Sequence, residues 1–516
     1  MPFKSILIAN RGEIAIRVAR ATADLGLRSV SIYSDDDANS LHVKWADESH
    51  ALGASGPAAY LDIDRVIAAA KAKKCDAIHP GYGFLSENAD FARACKKAGV
   101  TFIGPSPEVL ATFGDKARAR ALAERYGVPI IEGTSGPTSL EEAQAFQKKR
   151  KGAIVIKAIA GGGGRGIRVV NSADELPEAY ARCRSEAKAS FGNDEVYVEA
   201  FMPKARHIEV QVIGDGKSAS HVWERDCTIQ RRHQKIIEIA PAPALDPDVR
   251  KQLHDAAVWL ADDVRLTGLA TFEFLVDPAP KKHGPAFAFI EANPRLQVEH
   301  TVTEEVTQLD LVSAQIQVAM GKSLRDLDLR QDDIPPVRGA AIQLRINMET
   351  ITSDGTVKPS GGTLSRFTPP SGPGIRVDTY GYEGYTTNPA FDSLIAKVIV
   401  HAPDHAQALT RAKRALEQFV ITGARTNIPF LNALLDNTDI ASAKMHTRMV
   451  EENIAAIVAQ ADKYKPVNPV PSPVLPVAET GTRRSSVEVP PGTIAAVAPL
   501  QGKIIGIDVK VGDLVR

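Results

Sequence analysis

Between positions 288 and 300 the chain reads AFIEANPRLQVEH, which spaces Glu291, Asn293, Arg295, Gln297 and Glu299 two residues apart. In an extended backbone, residues at i, i+2 and i+4 share a face. The spacing therefore predicts a ribbon projecting carboxylate, amide, guanidinium, amide and carboxylate into one space. Polar groups are costly on a buried face unless they are bonded. The mixture suits a metal, an anion and a proton acceptor held together, and the alternative is a solvated edge strand. A second carboxylate bears on the choice. Glu273 lies in TFEFLV, flanked by bulky apolar residues as on a strand with a buried backbone. Residues 278–285 read as a turn and 286–290 as a return strand, which sets Glu273 and Glu291 on neighbouring strands. Two bare carboxylates ~4 Å apart repel by ~4 kcal/mol at an effective dielectric of about 20, so the pair needs a shared proton or a cation. Oxygen ligands beside an amide favour Mg²⁺ or Mn²⁺ completed by phosphate oxygens. Separate pairing of each Glu with a nearby Arg or Lys is the other solution.

Composition narrows the classes. At 516 residues the chain exceeds one core, and its length suggests about three or four domains. Lys+Arg and Asp+Glu both total 62, so no global field recruits nucleic acid or an anionic membrane. Anionic substrates must be gathered by local basic clusters. The four cysteines show no CxxC spacing, which indicates neither a disulfide framework nor a zinc site. Near the start the chain has only 6–9 as an apolar run before charge intervenes, too short for a signal segment. No run approaches the ~18 apolar residues of a membrane span. These features predict a cytoplasmic protein.

Along the chain, residues 5–9 (SILIA) read as a strand, 12–25 as a helix stopped by Gly26, 29–33 as a strand, and 77–78 as the end of another. This is a parallel α/β unit. Its first turn, NRGE, lacks GxGxxG, which argues against a nicotinamide site there. A helix is predicted over 115–126. The run AIVIKAIA (153–160) leads into GGGGRG (161–166) and then IRVV (167–170). A strand-like run after the glycines points to a hairpin lid over phosphates, mobile when empty, rather than a dinucleotide turn; a surface hairpin with no ligand is the alternative. The cluster ERDCTIQRRHQK (224–235), followed by IIEI, suggests a substrate-lining strand. An α+β region follows over 334–450, with strands at 341–347 and 392–400 and a helix at 405–418. Seven prolines between Pro466 and Pro491 mark a linker, and 498–513 resembles two short strands with turns.

The segments ANRGEIA (9–15), HPGYGFLSEN (79–88), GDK (114–116), the 157–166 loop, ERDCTIQRRHQK and EANPRLQVEHTVTE together resemble biotin carboxylases, the ATP-grasp component of biotin-dependent carboxylases. The resemblance implies an α/β and α+β multidomain chain. It places a Rossmann-like α/β domain at 1–114 and an ATP-grasp domain at 115–333 with a mobile lid near 131–204. A C-terminal α+β domain would occupy 334–455. A Pro-rich linker is expected at 456–492. Residues 493–516 resemble the truncated start of a biotinyl/lipoyl-like carrier domain and are expected to be disordered.

Carried over residue by residue, Lys116 and Lys157 would meet ATP phosphates, with Gly161, Gly162, Gly163, Gly164 and Gly166 in the lid. Glu199, His207, Gln230 and His233 would help bind nucleotide or bicarbonate-side groups. Glu273, Glu291 and Asn293 would hold Mg²⁺ or Mn²⁺, with two ions expected. Lys235, Arg295, Gln297 and the Val298 amide would bind bicarbonate. Glu299 would be the general base, and Arg345 would offset charge on biotin. The implied activity is ATP-dependent carboxylation of biotin by way of carboxyphosphate, the first half-reaction of an acyl-CoA carboxylase of the acetyl- or propionyl-CoA type. Biotin would be borne by a carrier in trans or on a longer polypeptide, with a carboxyltransferase as further partner and a homodimer expected. The competing readings are another ATP-grasp ligase joining a carboxylate to an amine, and a silent scaffold subunit.

Overall fold

Five short strands, each followed by a helix, give the N-terminal region its sheet. A computed structural model describes residues 3–159, 166–278 and 286–464. In it β1 (Ser5–Ile8), β2 (Arg28–Tyr33), β3 (Glu48–Ala51), β4 (Ala77–His79) and β5 (Thr101–Phe102) pair in the order β3-β2-β1-β4-β5, all parallel. The central three are those read from sequence. The two edge strands escaped that reading because ESHA and TF carry no apolar run and are half exposed. Helix Gly12–Asp24 buries Ile14, Ile16 and Val18, and Gly26 adopts φ +67° just beyond its end, a backbone position that glycine enters without a Cβ penalty.

β6 (Ile154–Ala158), β7 (Ile167–Val170) and β8 (Val196–Ala200) form a small antiparallel sheet. Helices Leu140–Arg150 and Leu176–Phe191 cover it over a separate core that includes Ile154, Ile156, Val170, Leu176 and Val198. β6 and β7 are the arms of a hairpin, with Lys157 opposite Ile167, as the strand-like run after the glycines predicts. Gly161, Gly162, Gly163 and Gly164, and the expected mobility of their loop, lie outside the described residues, whereas Gly166 accepts a hydrogen bond from the Ala158 N–H at 2.8 Å.

The site is built on an eight-stranded antiparallel sheet. Its members are β9 (Arg206–Asp215), β10 (Ala219–Arg231), β11 (Gln234–Ala240), β12 (Thr267–Val276), β13 (Phe287–Asn293), β14 (Ala340–Asn347), β18 (Ile375–Thr379) and β19 (Leu394–Ala402), in the order β13-β12-β9-β10-β11-β14-β19-β18. Short ladders β15 (Glu349–Ile351) with β16 (Val357–Pro359), and β17 (Arg366–Thr368) with β20 (Val420–Thr422), flank it. The β11–β14 pairing carries the sheet without interruption past residue 334, where a separate domain was expected to begin. Helix His405–Gln418, predicted over those residues, packs on β19. Helix Ile454–Ala461 occupies the first residues of the expected 456–492 linker, while the proline-rich stretch and the carrier-like segment lie outside the described residues. No described helix is long and apolar enough to cross a membrane.

Two expectations are corrected here. The ribbon is extended only through Asn293; Pro294 has no N–H to continue a ladder, the Arg295 N–H turns back to the Asn293 carbonyl at 2.8 Å, and Glu299 precedes helix His300–Thr307. Only Glu291 and Asn293 therefore share a strand face. Likewise residues 224–235 are two strands, not one: Arg232 and His233, at φ +48° and +63°, form the two-residue turn between β10 and β11, the geometry that fits the twist of a tight hairpin.

Candidate functional site

The sheet register aligns acidic residues across neighbouring strands. Glu291 pairs with Glu273, Glu273 with Glu209, and Glu209 with Arg225. Directly opposed residues in an antiparallel ladder share a face, so three carboxylates and a guanidinium form one row. Like charges in such a row repel unless cations intervene. Lys235, entering from β11, is the intervening cation: its Nζ donates to Glu209 at 2.6 Å, Glu299 at 2.7 Å and Glu273 at 3.1 Å. Burial works against the Lys235 ammonium, but Glu209, Glu273 and Glu299 hold its pKa well above the ordinary lysine range.

Glu273 is the most heavily bonded of the row. It accepts from His207 Nε2 at 2.6 Å, Asn293 Nδ2 at 2.8 Å and Gln297 Nε2 at 3.0 Å. Gln230 approaches the other His207 ring nitrogen at 2.7 Å. Burial alone would raise the Glu273 carboxyl, yet Lys235 and His207 bring it down to about 2. Arg295 binds Gln297 Oε1 at 2.7 Å and Asn293 Oδ1 at 3.1 Å, and reaches Glu87 at 3.2 Å. Glu299 is fully buried between Lys235 and Arg345, whose Nη2 lies 3.1 Å from it. Arg345 also bonds Glu238, through Nε at 2.5 Å. Despite burial, Lys235, Arg345 and Arg225 hold the Glu299 carboxyl well below the usual carboxylate range.

A second cluster sits where β6 and β8 pair. Glu199 bonds Lys157 Nζ and Arg120, the latter at 2.5 Å. Lys116 is half-buried; burial lowers its pKa against the pull of Glu291. Burial opposes the Lys157 charge too, but Glu199 keeps its pKa raised. Glu291 thus faces Glu273 on one side and acts on both lysines on the other. His233 is exposed at the β10–β11 turn, where desolvation, and then the charges of Lys157 and His207 against the pull of Glu451, lower its pKa. Val298 is half-buried, and its carbonyl accepts from Lys397 at 3.1 Å.

Reading by sequence gave no role to Glu209, Glu238 or Arg120, and placed Arg225 and Glu87 only within the 224–235 and 79–88 segments, with no role of their own. Glu209 and Glu238 carried the signal used for Glu273, a lone carboxylate among apolar strand residues (IEV and IEI). Arg120 had no local mark, since it is selected by a partner 79 positions away; Glu87 lies in the HPGYGFLSEN segment, but its partner Arg295 is set only by the fold. Two buried groupings, His207–Glu209–Glu273 and Glu209–Cys227–Glu299, bring ligand atoms within 4.8 Å of one another. Lys235 already contributes positive charge to both, through Glu209 and Glu273 in one and Glu209 and Glu299 in the other. The Glu273–Glu291 opposition, with the Asn293 amide oxygen beside it, is an oxygen-donor set that fits a hard divalent cation.

Comparison with known proteins agrees with this arrangement. Family models for the biotin carboxylase N-terminal domain, the carbamoyl-phosphate synthase L chain ATP-binding domain and the biotin carboxylase C-terminal domain match residues 2–110, 115–327 and 343–452. The chain is 50% identical over 457 residues to mitochondrial pyruvate carboxylase of Mus musculus, covering 88% of this chain and only 38% of that protein. With the biotin carboxylase of a Nostoc species it is 45% identical over 455 residues, covering 88% and 99%. It also superposes on the biotin carboxylase domain dimer of Hydrogenobacter thermophilus 2-oxoglutarate carboxylase, solved with MgADP, ADP and bicarbonate, with a TM-score of 0.83, 41% identity and coverage of 89% and 99%. The chain thus spans about two fifths of the pyruvate carboxylases it matches and nearly the whole of the free-standing relative. Similarity of that extent, over a sheet that carries the acidic row, shows that the chain belongs to the biotin carboxylase family.

Proposed function

We propose that this chain uses ATP to activate bicarbonate as carboxyphosphate and carboxylates biotin presented by a carrier domain. The observation that carries the reading is Lys235, which joins Glu209, Glu273 and Glu299 in a buried cluster beside Arg295 and Gln297. A bicarbonate at Lys235, Arg295, Gln297 and the Val298 amide lies beside Glu299, and its remaining proton needs an acceptor before it can attack phosphorus. Glu299 is that base. Arg345, bonded to both Glu299 and Glu238, supports negative charge on the biotin ureido group.

Lys116 and Lys157 neutralise ATP phosphates, and Glu199, His207, Gln230 and His233 help bind nucleotide or bicarbonate-side groups. Glu273, Glu291 and Asn293 would hold Mg²⁺ or Mn²⁺, which when bound offsets charge on the phosphoryl oxygens. A carrier domain and a carboxyltransferase, on a longer polypeptide or in trans, complete the cycle, and the working unit is a homodimer.

An acyl-CoA of the acetyl or propionyl type is the expected final acceptor. Pyruvate is the second reading, favoured by the 50% identity to proteins named pyruvate carboxylase. Supplying the cognate transferase with each acceptor in turn discriminates between them. For the first half-reaction, purified protein given free biotin, bicarbonate and Mg-ATP should release phosphate, and Glu299→Gln or Lys235→Gln should nearly abolish the release. ATP cleavage that ignores bicarbonate would overturn the proposal. Biotin-independent cleavage stimulated by an amine would point to an amide-forming ligase instead.

A further inference from the structure

Lys397, in β19, is fully buried, outside the row of site carboxylates. Its Nζ pairs with Glu13 Oε2 at 3.0 Å, lies 3.9 Å from Asp378, and donates to the Val298 carbonyl at 3.1 Å. Stability alone does not account for such a charge, because a buried ion pair is often replaceable by apolar residues of similar volume without loss. The Val298 contact has a counterpart one peptide earlier. His300 Nδ1 lies 2.7 Å from the Gln297 carbonyl, and His300 is itself fully buried. A carbonyl has no proton to give, so Nδ1 carries the hydrogen. Burial, followed by the charges of Lys397, Arg17 and Arg376, keeps the imidazole pKa well below its usual value, so the ring is neutral.

A trans peptide is planar, and its C=O and N–H point in opposite directions. Pinning the Gln297 carbonyl therefore fixes the direction of the Val298 N–H, and pinning the Val298 carbonyl fixes that of the Glu299 N–H. We infer that His300 and Lys397 are positioning residues for anion binding: from outside the site they set two successive peptide planes, so that the N–H groups of Val298 and Glu299 point away from the pinned carbonyls, toward the anion held beside Arg295. This rests on the assignment of residues 295–299 as the bicarbonate site. It adds that the site's backbone donors are aimed from both ends of the chain. Lys397 comes from β19 and is charge-balanced by Glu13 of helix Gly12–Asp24.

The test compares His300→Leu, which removes the side-chain donor and leaves only the longer contact of the residue 300 backbone N–H to the Gln297 carbonyl, 3.3 Å in wild type, with His300→Asn, whose side-chain amide places an N–H near the same point. The double variant Lys397→Met/Glu13→Gln removes the buried pair together and avoids stranding a lone carboxylate. Bicarbonate binding is followed by ¹³C NMR of labelled bicarbonate, alongside KM for bicarbonate and for Mg-ATP. His300→Leu and the double variant should weaken bicarbonate by about tenfold, the scale of one lost charge-assisted or buried hydrogen bond, while KM for Mg-ATP stays within about twofold. His300→Asn should remain near wild type. Unchanged bicarbonate affinity in folded His300→Leu would overturn the inference and leave the proposed function intact, as would an equal loss in His300→Asn. If the double variant fails to fold, the two His300 variants decide the matter alone. Wild-type protein that binds Mg-ATP but no bicarbonate would overturn the functional reading, and this inference with it.

Discussion

At the scale of single residues, Glu273 shows how the network stores pH dependence. Its carboxyl is held at about 2 in the folded protein against an ordinary value of 4.5. Between those values the unfolded chain binds a proton that the folded chain refuses, so stability falls as pH falls. The contribution is complete above pH 4.5 and is lost on descent toward 2. The stability advantage of wild type over Glu273→Gln, read as a difference in Tm, should therefore be widest near neutral pH and shrink on acidification below about 5. A gap that stays constant down to pH 3 would show that Lys235 and His207 do not set this carboxylate. Residue identity was the most legible level of the sequence: Glu273, Asn293, Gln297, Glu299, Lys235 and Arg345 were all named, and all meet in one bonded network. Their partners Glu209 and Glu238 were not, because a carboxylate inside an apolar strand declares only that something must pair with it, not what.

At the scale of elements, helix Leu140–Arg150 depends more on its cap than on its packing. Among its residues only Ala143 and Gln147 are buried, while Ser139 and Glu142 form a reciprocal capping box. Ser139→Ala should cost about 1 kcal/mol locally. It should appear as faster amide exchange across residues 140–150, with the exchange of β9 and β12 unaffected. Equal acceleration in the eight-stranded sheet would mean that the helix is not an independent unit. Elements with strong apolar periodicity, such as helix His405–Gln418, were legible to the residue. The extended ribbon was not, because its i, i+2 polar spacing also fits a strand end, a proline turn and a helix start in succession. Asn293, Arg295 and Gln297 still converge there, through a turn instead of a shared face.

At the scale of the whole molecule, burial governs the chemistry of the cysteines. All four are buried, and burial, the leading cause in each case, pushes the thiols of Cys75 and Cys183 up to about 11, Cys95 to about 12 and Cys227 well above its ordinary value. The thiolate is the reactive form, so a thiol reagent at pH 8 should label the native protein slowly and all four positions after denaturation. One fast-reacting native thiol would contradict the packing described for that position. Burial also separates what the chain states locally from what only the fold decides. The parallel N-terminal unit, the β6–β7 and β12–β13 hairpins and the residues of the site follow from periodicity, turn chemistry and motif, all of which act over a few positions. The continuity of the sheet past residue 334, the register that opposes Glu291, Glu273 and Glu209, and the contact of Lys397 with the Val298 carbonyl join positions 18 to 107 residues apart. A local pattern specifies which face a side chain takes, but a partner so distant is chosen only when strands from separate segments pair and exclude water, and that choice belongs to the tertiary structure.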